Sequence, residues 1–436
     1  MTAEIVIMNR EAIAIAADSA VTWGSEENNK IFTSANKIFS LSNSQPIAIM
    51  IYNNASFGNI PWETIIKLYR QNNKSPIFDT IEECRKDFLK YLESFKDIIT
   101  PEQRISYYIT KIDSFYQILI KIAVSKINEK ASQTGKLDEK ENLIIIDEII
   151  DFYWNTLKEL PNIPQINEEE VEKISVDFEK YAKKLIAKYF SNMKFSDETL
   201  NKLFDIGIFQ IIKFPNPKYF PVPGVSGIVI TGFGKKEIFP SLISFHVDGI
   251  LQNDKLKYLD FIKDKISFEN GSLIIPFAQD DMVHAFMDGI FPSFFQAIIM
   301  HISELLENYP KIIIDSIKEL KPEIKEKYKN KFSGISEEKS EFYKTRLLQY
   351  QAAEFSNEIA EVVSMLPKNE LADMAETLVN LTSFRKRVTK ASETVGGPID
   401  VAVISKGDGF VWIKRKYYFN KELNPRFMRK ISGENK

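Results

Sequence analysis

Apolar and polar positions divide this chain into strand-like ends around a long helical middle. Ile5-Val6-Ile7 is a short apolar run, Asn9-Arg10-Glu11 a polar turn, and Ala12 to Ala17 a second apolar run rich in small residues. Runs of this length bounded by turn residues predict strands buried between layers. Asp18 ends the second strand, and the polar stretch Ser25 to Asn29 reads as a loop. Lys37 to Leu41 and Pro46 to Tyr52 read as a third and fourth strand around a turn at Ser42–Gln45.

From Trp62 to about Lys213 the period changes. Helical stripes begin at Ile65, cover Ile81 to Phe95 and Ile105 to Ile127, and return at Leu143 to Leu160 and Glu168 to Phe190. Gly135, Pro161 and Pro164 break them. Strand patterns resume near Pro221: Gly227 to Gly234, then Pro240 to Gly249, closing on an Asp-Gly turn. Lys257–Ile262 and Leu273–Phe277 complete a small antiparallel group. A long helix follows through Met282 and Phe286 to Leu305, and residues 335–390 are again helical. Val401 to Ile404 and Phe410 to Ile413 form a hairpin through Gly407-Asp408-Gly409. A basic, mobile tail closes the chain from Arg429.

Composition narrows the class. The 436 residues are 44% hydrophobic and 27% charged with a net charge of -3, an ordinary globular balance. That balance predicts neither a nucleic-acid partner nor a membrane one, and Glu4, Asn9, Arg10 and Glu11 interrupt any early signal-like core. The single Cys84 fits a reducing cytoplasm. His246, His284 and His301 lack metal-ligand spacing, and there is no phosphate-binding or dinucleotide fingerprint.

The chemistry-bearing pattern is at the start. Thr2 follows Met1, so removing Met1 would put a hydroxyl and an α-amine on one residue, a self-contained nucleophile and base. Asp18 lies sixteen residues later in Ala16-Ala17-Asp18-Ser19, and Lys37 opens Lys37-Ile38-Phe39. A nearby ammonium lowers the pKa of an amine that already titrates near 7.7–8.0, so the amine is neutral and able to accept a proton. Asp18 is the partner that would keep Lys37 charged in an apolar site. Backbone N–H groups at Tyr52 or Asn53 would supply an oxyanion hole.

In this order and spacing the segment resembles the proteasome β-subunit family of N-terminal-nucleophile hydrolases, in the form of a bacterial proteasome-like protein with a large helical insertion. Lys37 comes three residues later than the family's usual spacing, with the extra residues in the loop at 23–30. The resemblance covers roughly residues 2–60 and 222–415. It implies an α+β fold: a four-layer αββα sandwich, with a core at 2–60 and 222–420, an all-helical insertion at 61–221 and a tail at 421–436. Two of the family's markers are altered. The Gly-Ser-Gly at the strand-to-helix junction is replaced by Gln279-Asp280-Asp281, where either carboxylate stands in for the serine or serves as a helix N-cap. In the Asp-x-x-Ser-Gly-Gly motif, Gly396-Gly397 match, Val395 takes the serine position and Ser392 the aspartate position, with Glu393 beside it; Ser392 or Glu393 is then the candidate for the missing hydrogen bond. The glycine pair also reads as a helix C-cap.

The implied activity is cleavage of an amide bond, peptide by preference, through an acyl-enzyme on Thr2 with no metal or organic cofactor. The implied partners are a peptide or protein substrate, further copies in a ring or smaller homo-oligomer, and an unfoldase or adaptor docking on the insertion. The same superfamily hosts small-molecule amidases and acyltransferases. A scaffold that has lost its active site is the third reading.

Overall fold

A computed structural model describes residues 3–25, 28–42, 44–72, 76–135, 137–215, 220, 224–389 and 395–431. The chain opens with β1 (Ala3–Asn9), β2 (Ala12–Ala17), β3 (Val21–Ser25), β4 (Asn28–Phe32), β5 (Ile38–Ser40), β6 (Ile47–Asn53) and the short pair β7 (Ser56–Phe57) and β8 (Ile60–Pro61). Helices α1 (Trp62–Asn72), α2 (Ile81–Glu93), α3 (Pro101–Thr134), α4 (Glu139–Glu159), α5 (Glu168–Phe190) and α6 (Asp197–Ile212) follow. Next come β9 (Ser226–Gly232), β10 (Ser241–Ile250), β11 (Leu256–Lys265), β12 (Ser272–Ala278), α7 (Asp281–Asp288), α8 (Pro292–Ser316), α9 (Pro322–Gln351), α10 (Asn357–Met365), α11 (Lys368–Val388), β13 (Asp400–Ser405), β14 (Gly409–Lys414) and α12 (Pro425–Ile431). The fold is mixed α/β with antiparallel sheets, and no single described helix is long and apolar enough to cross a membrane.

The chain packs as two compact units, residues 1–38 with 266–436 and residues 39–265. In the first, five strands run β12-β1-β2-β13-β14. Ala3, Ile5 and Ile7 of β1, Ala12, Ala14 and Ala16 of β2, and Val401 and Val403 of β13 share one face. Leu371, Ala372, Ala375 and Leu378 of α11 pack there, so the small residues of β2 let a helix lie close on the sheet. The other face of β1, with Glu4, Val6 and Met8, is buried too.

The second unit holds the sheet β11-β10-β9-β6-β5 and the whole helical segment. That segment is two structures. Helices α1 and α2 bury Ile65, Ile66, Phe88 and Leu92 against Ile49, Ile228 and Phe245 of the sheet. Helices α3 to α6 build a separate core around Tyr108, Phe115, Phe178 and Leu203. Helix α3 begins with a capping box between Thr100 and Gln103 and Pro101 at its first position, and stops at Gly135.

Five sequence expectations need correction. Ser25–Asn29 is not all loop: β3 and β4 pair as a hairpin, Ser25 opposite Asn28. Asp248-Gly249 is strand interior; the turn falls at 251–255, where Asp254 is left-handed. Leu273–Phe277 joins β1 rather than β11. The helix expected from Met282 to Leu305 breaks at the left-handed Gly289, whose missing Cβ makes room for the ring of Phe355, and restarts at Pro292. Phe355 lies in a π-helical turn at Ala352–Ser356 between α9 and α10, where Ser356 Oγ donates to Asp288 at 2.9 Å. In the tail, α12 continues through Ile431, so its first residues are ordered.

Asp248 escapes the turn because its charge is matched inside the fold. Lys111 of α3 and Lys257 of β11 both pair with its carboxylate, and Tyr107 donates to it at 2.6 Å. Burial alone would raise its pKa; the two ammonium groups overcome that and hold it at about 2. Two cations on one buried anion leave one in excess. Burial pushes Lys257 down to about 7, against an ordinary 10.5, with Lys111 adding to the shift and Asp248 opposing it. Between these values the unfolded chain binds the proton and the folded chain does not, so folding stability rises with pH across that window. Urea denaturation at pH 7 and pH 9 is expected to show a gain in the wild type that Lys257→Met lacks; equal gains in both would refute this assignment.

Candidate functional site

β1 and β2 pair in register from Glu4–Ala17 to Met8–Ile13, which sets the next residue, Asp18, beside Ala3. The Asp18 amide donates to the Ala3 carbonyl at 3.1 Å, so the ladder continues through this pair. Asp18 is buried, and each oxygen of its carboxylate takes two donors. Oδ1 accepts from the Ala3 amide at 3.0 Å and from Lys37 Nζ at 2.6 Å. Oδ2 accepts from the amides of Ala20 at 3.2 Å and Gly396 at 2.8 Å. Four donors, one of them charged, offset the cost of burying an anion. Lys37 is itself buried, at the mouth of β5.

The segment before β13 wraps this carboxylate. Ser19 donates its amide to Gly396 O at 3.1 Å and its hydroxyl to Pro398 O. Gly397 is left-handed at φ +80, and a Cβ there would meet Thr33 Cβ at 2.8 Å. The glycine pair is thus set by the approach of the 395–398 segment to Ser19 and Thr33. It is not the helix C-cap, since α11 already ends at Thr389. Val395 is buried in the apolar core of the same unit.

Thr2, Ser392 and Glu393 lie outside the described residues. The remaining candidates divide. Asp18 and Lys37 come together as expected. Ala278, the last residue of β12, pairs with Ala3, so the chain runs from the other side of Ala3 into Gln279-Asp280-Asp281. Asp280 holds the N-cap position of α7 but makes no side-chain cap hydrogen bond. It lies 3.6 Å from His284 Nε2 instead. Asp281 is exposed and, with Gln279, Thr382, Arg385 and Lys386, lines a cavity of about 250 Å³. Tyr52 and Asn53 belong to the second unit. Tyr52 packs its ring on Gly227, which faces it across β9, and its hydroxyl meets His246 Nε2 at 3.1 Å. Burial pushes His246 down to about 4. Asn53 ends β6, exposed and left-handed at φ 67.

Glu4 is the residue that sequence reading passed over as a mere interruption of an apolar run. It is 2% exposed, and neither carboxylate oxygen has a hydrogen-bond partner in the structure. Burial raises its pKa well above the ordinary value; Lys37 pulls it down in part, and Asp18 pushes it further up. The site therefore contains two buried carboxyls sharing one ammonium: Asp18 fully hydrogen-bonded, Glu4 driven toward its neutral form. The signal was a lone acid inside a buried strand, two residues after Thr2.

No protein-family model matches the chain, and no curated protein does. Among solved structures, it is similar to the Anbu (Gly-1) mutant from Hyphomicrobium sp. strain MC1, over 100% of this chain and 96% of that one, at 9% identity and a TM-score of 0.26. At that score the likeness carries no argument about this chain.

Two measurements check the site. Between the ordinary 4.5 of a glutamate and its raised value, folded Glu4 keeps a proton that the unfolded chain loses, so stability falls as pH rises through that window. Glu4→Gln is expected to remove that fall, seen by chemical denaturation at pH 5 and pH 7.5; an unchanged pH dependence would show an ordinary Glu4. Gly227→Ala drives a methyl into the Tyr52 ring and is expected to cost about 1–3 kcal/mol, read from the shift in denaturation midpoint.

Proposed function

We propose that this chain is an N-terminal threonine hydrolase, cleaving amide bonds through an acyl-enzyme on Thr2, on a proteasome-like αββα core. The observation that carries this reading is the buried Asp18–Lys37 pair, bonded to the amide nitrogen of Ala3 that Thr2 acylates. A lysine at the chain surface would serve solubility. One desolvated and matched to a carboxylate that also fixes the residue after a threonine serves the chemistry of that threonine. The helix-covered faces of the two antiparallel sheets support the layered core.

In this reading, removal of Met1 frees the Thr2 amine. The hydroxyl attacks the substrate carbonyl, and the amine takes the hydroxyl proton directly or through a water. The proton passes to the leaving amine, the ester on Thr2 Oγ remains, and water hydrolyses it. Lys37 keeps the amine neutral by like-charge repulsion, and Asp18 keeps Lys37 charged. Glu4, held toward its neutral form, avoids adding a second full negative charge that would cancel the effect of Lys37. The substrate is a peptide or protein, and the setting is cytoplasmic.

An epoxyketone probe, which needs the paired hydroxyl and amine of an N-terminal threonine, tests this directly. The expected outcome is a mass adduct on a chain lacking Met1, mapped to Thr2 and absent from Thr2→Ala. Lys37→Met is expected to label on the order of 10²-fold more slowly. A purified chain that retains Met1 and takes no adduct would refute the hydrolase and leave the scaffold.

A further inference from the structure

Helix α11 ends in a basic turn, Arg385-Lys386-Arg387. A helix C-terminus favours cations by itself, and Arg387, which is exposed, needs no other account. Arg385 and Lys386 are half-buried, and both line the cavity of about 250 Å³ that they share with Gln279, Asp281 and Met282. Arg385 is held in place there: its Cζ lies 4.0 Å over the ring of Phe291. That contact uses the face of the guanidinium and leaves the N–H donors, which lie in its plane, to another partner. Among the described residues, neither Arg385 nor Lys386 has an acidic partner or a hydrogen bond from its side chain. Two part-desolvated cations on one wall repel each other, and an anion between them relieves both. The hydroxyls of the same cavity do not compete for it. Thr382 Oγ1 donates to Leu378 O at 2.9 Å and Thr389 Oγ1 to Lys386 O at 3.4 Å, so each spends its hydrogen on the backbone beside it.

We propose that this cavity is a subsite for a carboxylate, gripped by Arg385 with Lys386 beside it. Its place in the fold ties it to the site already described: Ala278 pairs with Ala3, so Gln279 sets the cavity at the end of the sheet where β1 begins. On the amide-hydrolase reading, on which the identity of the ligand rests, the carboxylate belongs to the peptide, and the chain selects acidic peptides. Three features choose a carboxylate. The planar fork of a guanidinium matches it with two parallel hydrogen bonds. Asp281 lines the same cavity, so two cations and one anion leave a single positive charge, which suits a monoanion and repels a phosphate dianion. The volume takes a whole acidic side chain or chain end, with Met282 as its apolar contact, rather than a small inorganic ion.

Equilibrium binding to the full Thr2→Ala chain, which cannot form the acyl-enzyme, is the test, read by fluorescence anisotropy of rhodamine-labelled tetrapeptides. The probes are Ala-Ala-Leu-Glu and Ala-Ala-Leu-Gln with amidated C-termini, Ala-Ala-Leu-Gln with a free C-terminus, and an amidated peptide ending in phosphoserine. A carboxylate is expected to tighten binding roughly tenfold over the amidated Gln peptide. The gain falls on the Glu peptide if the site reads a side chain, and on the free C-terminus if it reads a chain end. Arg385→Gln is expected to erase the gain and leave the neutral peptide unchanged, while Asp281→Asn is expected to admit the phosphoserine peptide. Lys386→Gln, which leaves the Phe291 contact intact, is expected to lose several-fold of the gain, and it keeps the test readable if Arg385→Gln does not fold. Equal binding of all four peptides, a gain that survives both substitutions, or a preference for phosphoserine with Asp281 in place would each overturn the proposal. Epoxyketone labelling separates this outcome from the parent reading. A carboxylate preference in a chain that takes no adduct would refute the hydrolase alone, and an adduct formed equally with Glu and Gln probes, without any binding preference, would refute the subsite alone.

Discussion

The Asp18 carboxylate organises the first unit. It is an anion taken out of water, and it is tolerated there because four donors from four parts of the chain converge on it: Ala3, Ala20, Lys37 and Gly396. Each donor fixes a different segment, namely the start of β1, the turn after β2, the approach to β5 and the approach to β13. Removing one donor would leave a buried charge incompletely matched, so the four segments are energetically coupled through a single side chain. Any chemistry at the head of β1 inherits its geometry from this node.

A second node of the same kind stands in the other unit, with the charges inverted. There one aspartate holds two lysines, Lys111 and Lys257, and ties the long helix α3 to strands β10 and β11. Each node carries a titratable group beyond what its partners need: Glu4 beside Asp18 and Lys37, and one ammonium too many around Asp248. In each, burial pushes the surplus group toward its neutral form, the acid up and the base down. The fold thus stores charge in buried clusters whose protonation, not only their contacts, sets their stability.

Much of this was legible in the chain. The buried strands, the helical middle, and the pairing of Asp18 with Lys37 all follow from runs of one period and from a spacing that only makes sense if strands pair. The rest was hidden for physical reasons. Asp248-Gly249 has turn composition, but Lys111, far away in sequence, and Lys257, on the neighbouring strand, match its charge inside the sheet. The helical middle reads as one segment because periodicity does not say what a stripe packs against, and α1 and α2 pack on a sheet while α3 to α6 pack on one another. Glu4 reads as a break in an apolar run, since burial of an acid leaves no mark on its neighbours. Asp280 has capping chemistry but turns to His284.

The register of β1 has a consequence for the order of events during synthesis. Its outer partner is β12, at residues 272–278, and the last donor to Asp18 is Gly396. At translation rates of about 5–20 residues per second, β1 and β2 wait on the order of tens of seconds before those segments emerge. Through that interval β1 has only β2 to pair with, and its other edge is an open strand. Once β12 and Gly396 are in place, β1 lies between two strands and is buried on both faces. Completion of β1 and its carboxylate node is therefore timed by a segment 378 residues beyond Asp18, as a window that folding itself shuts.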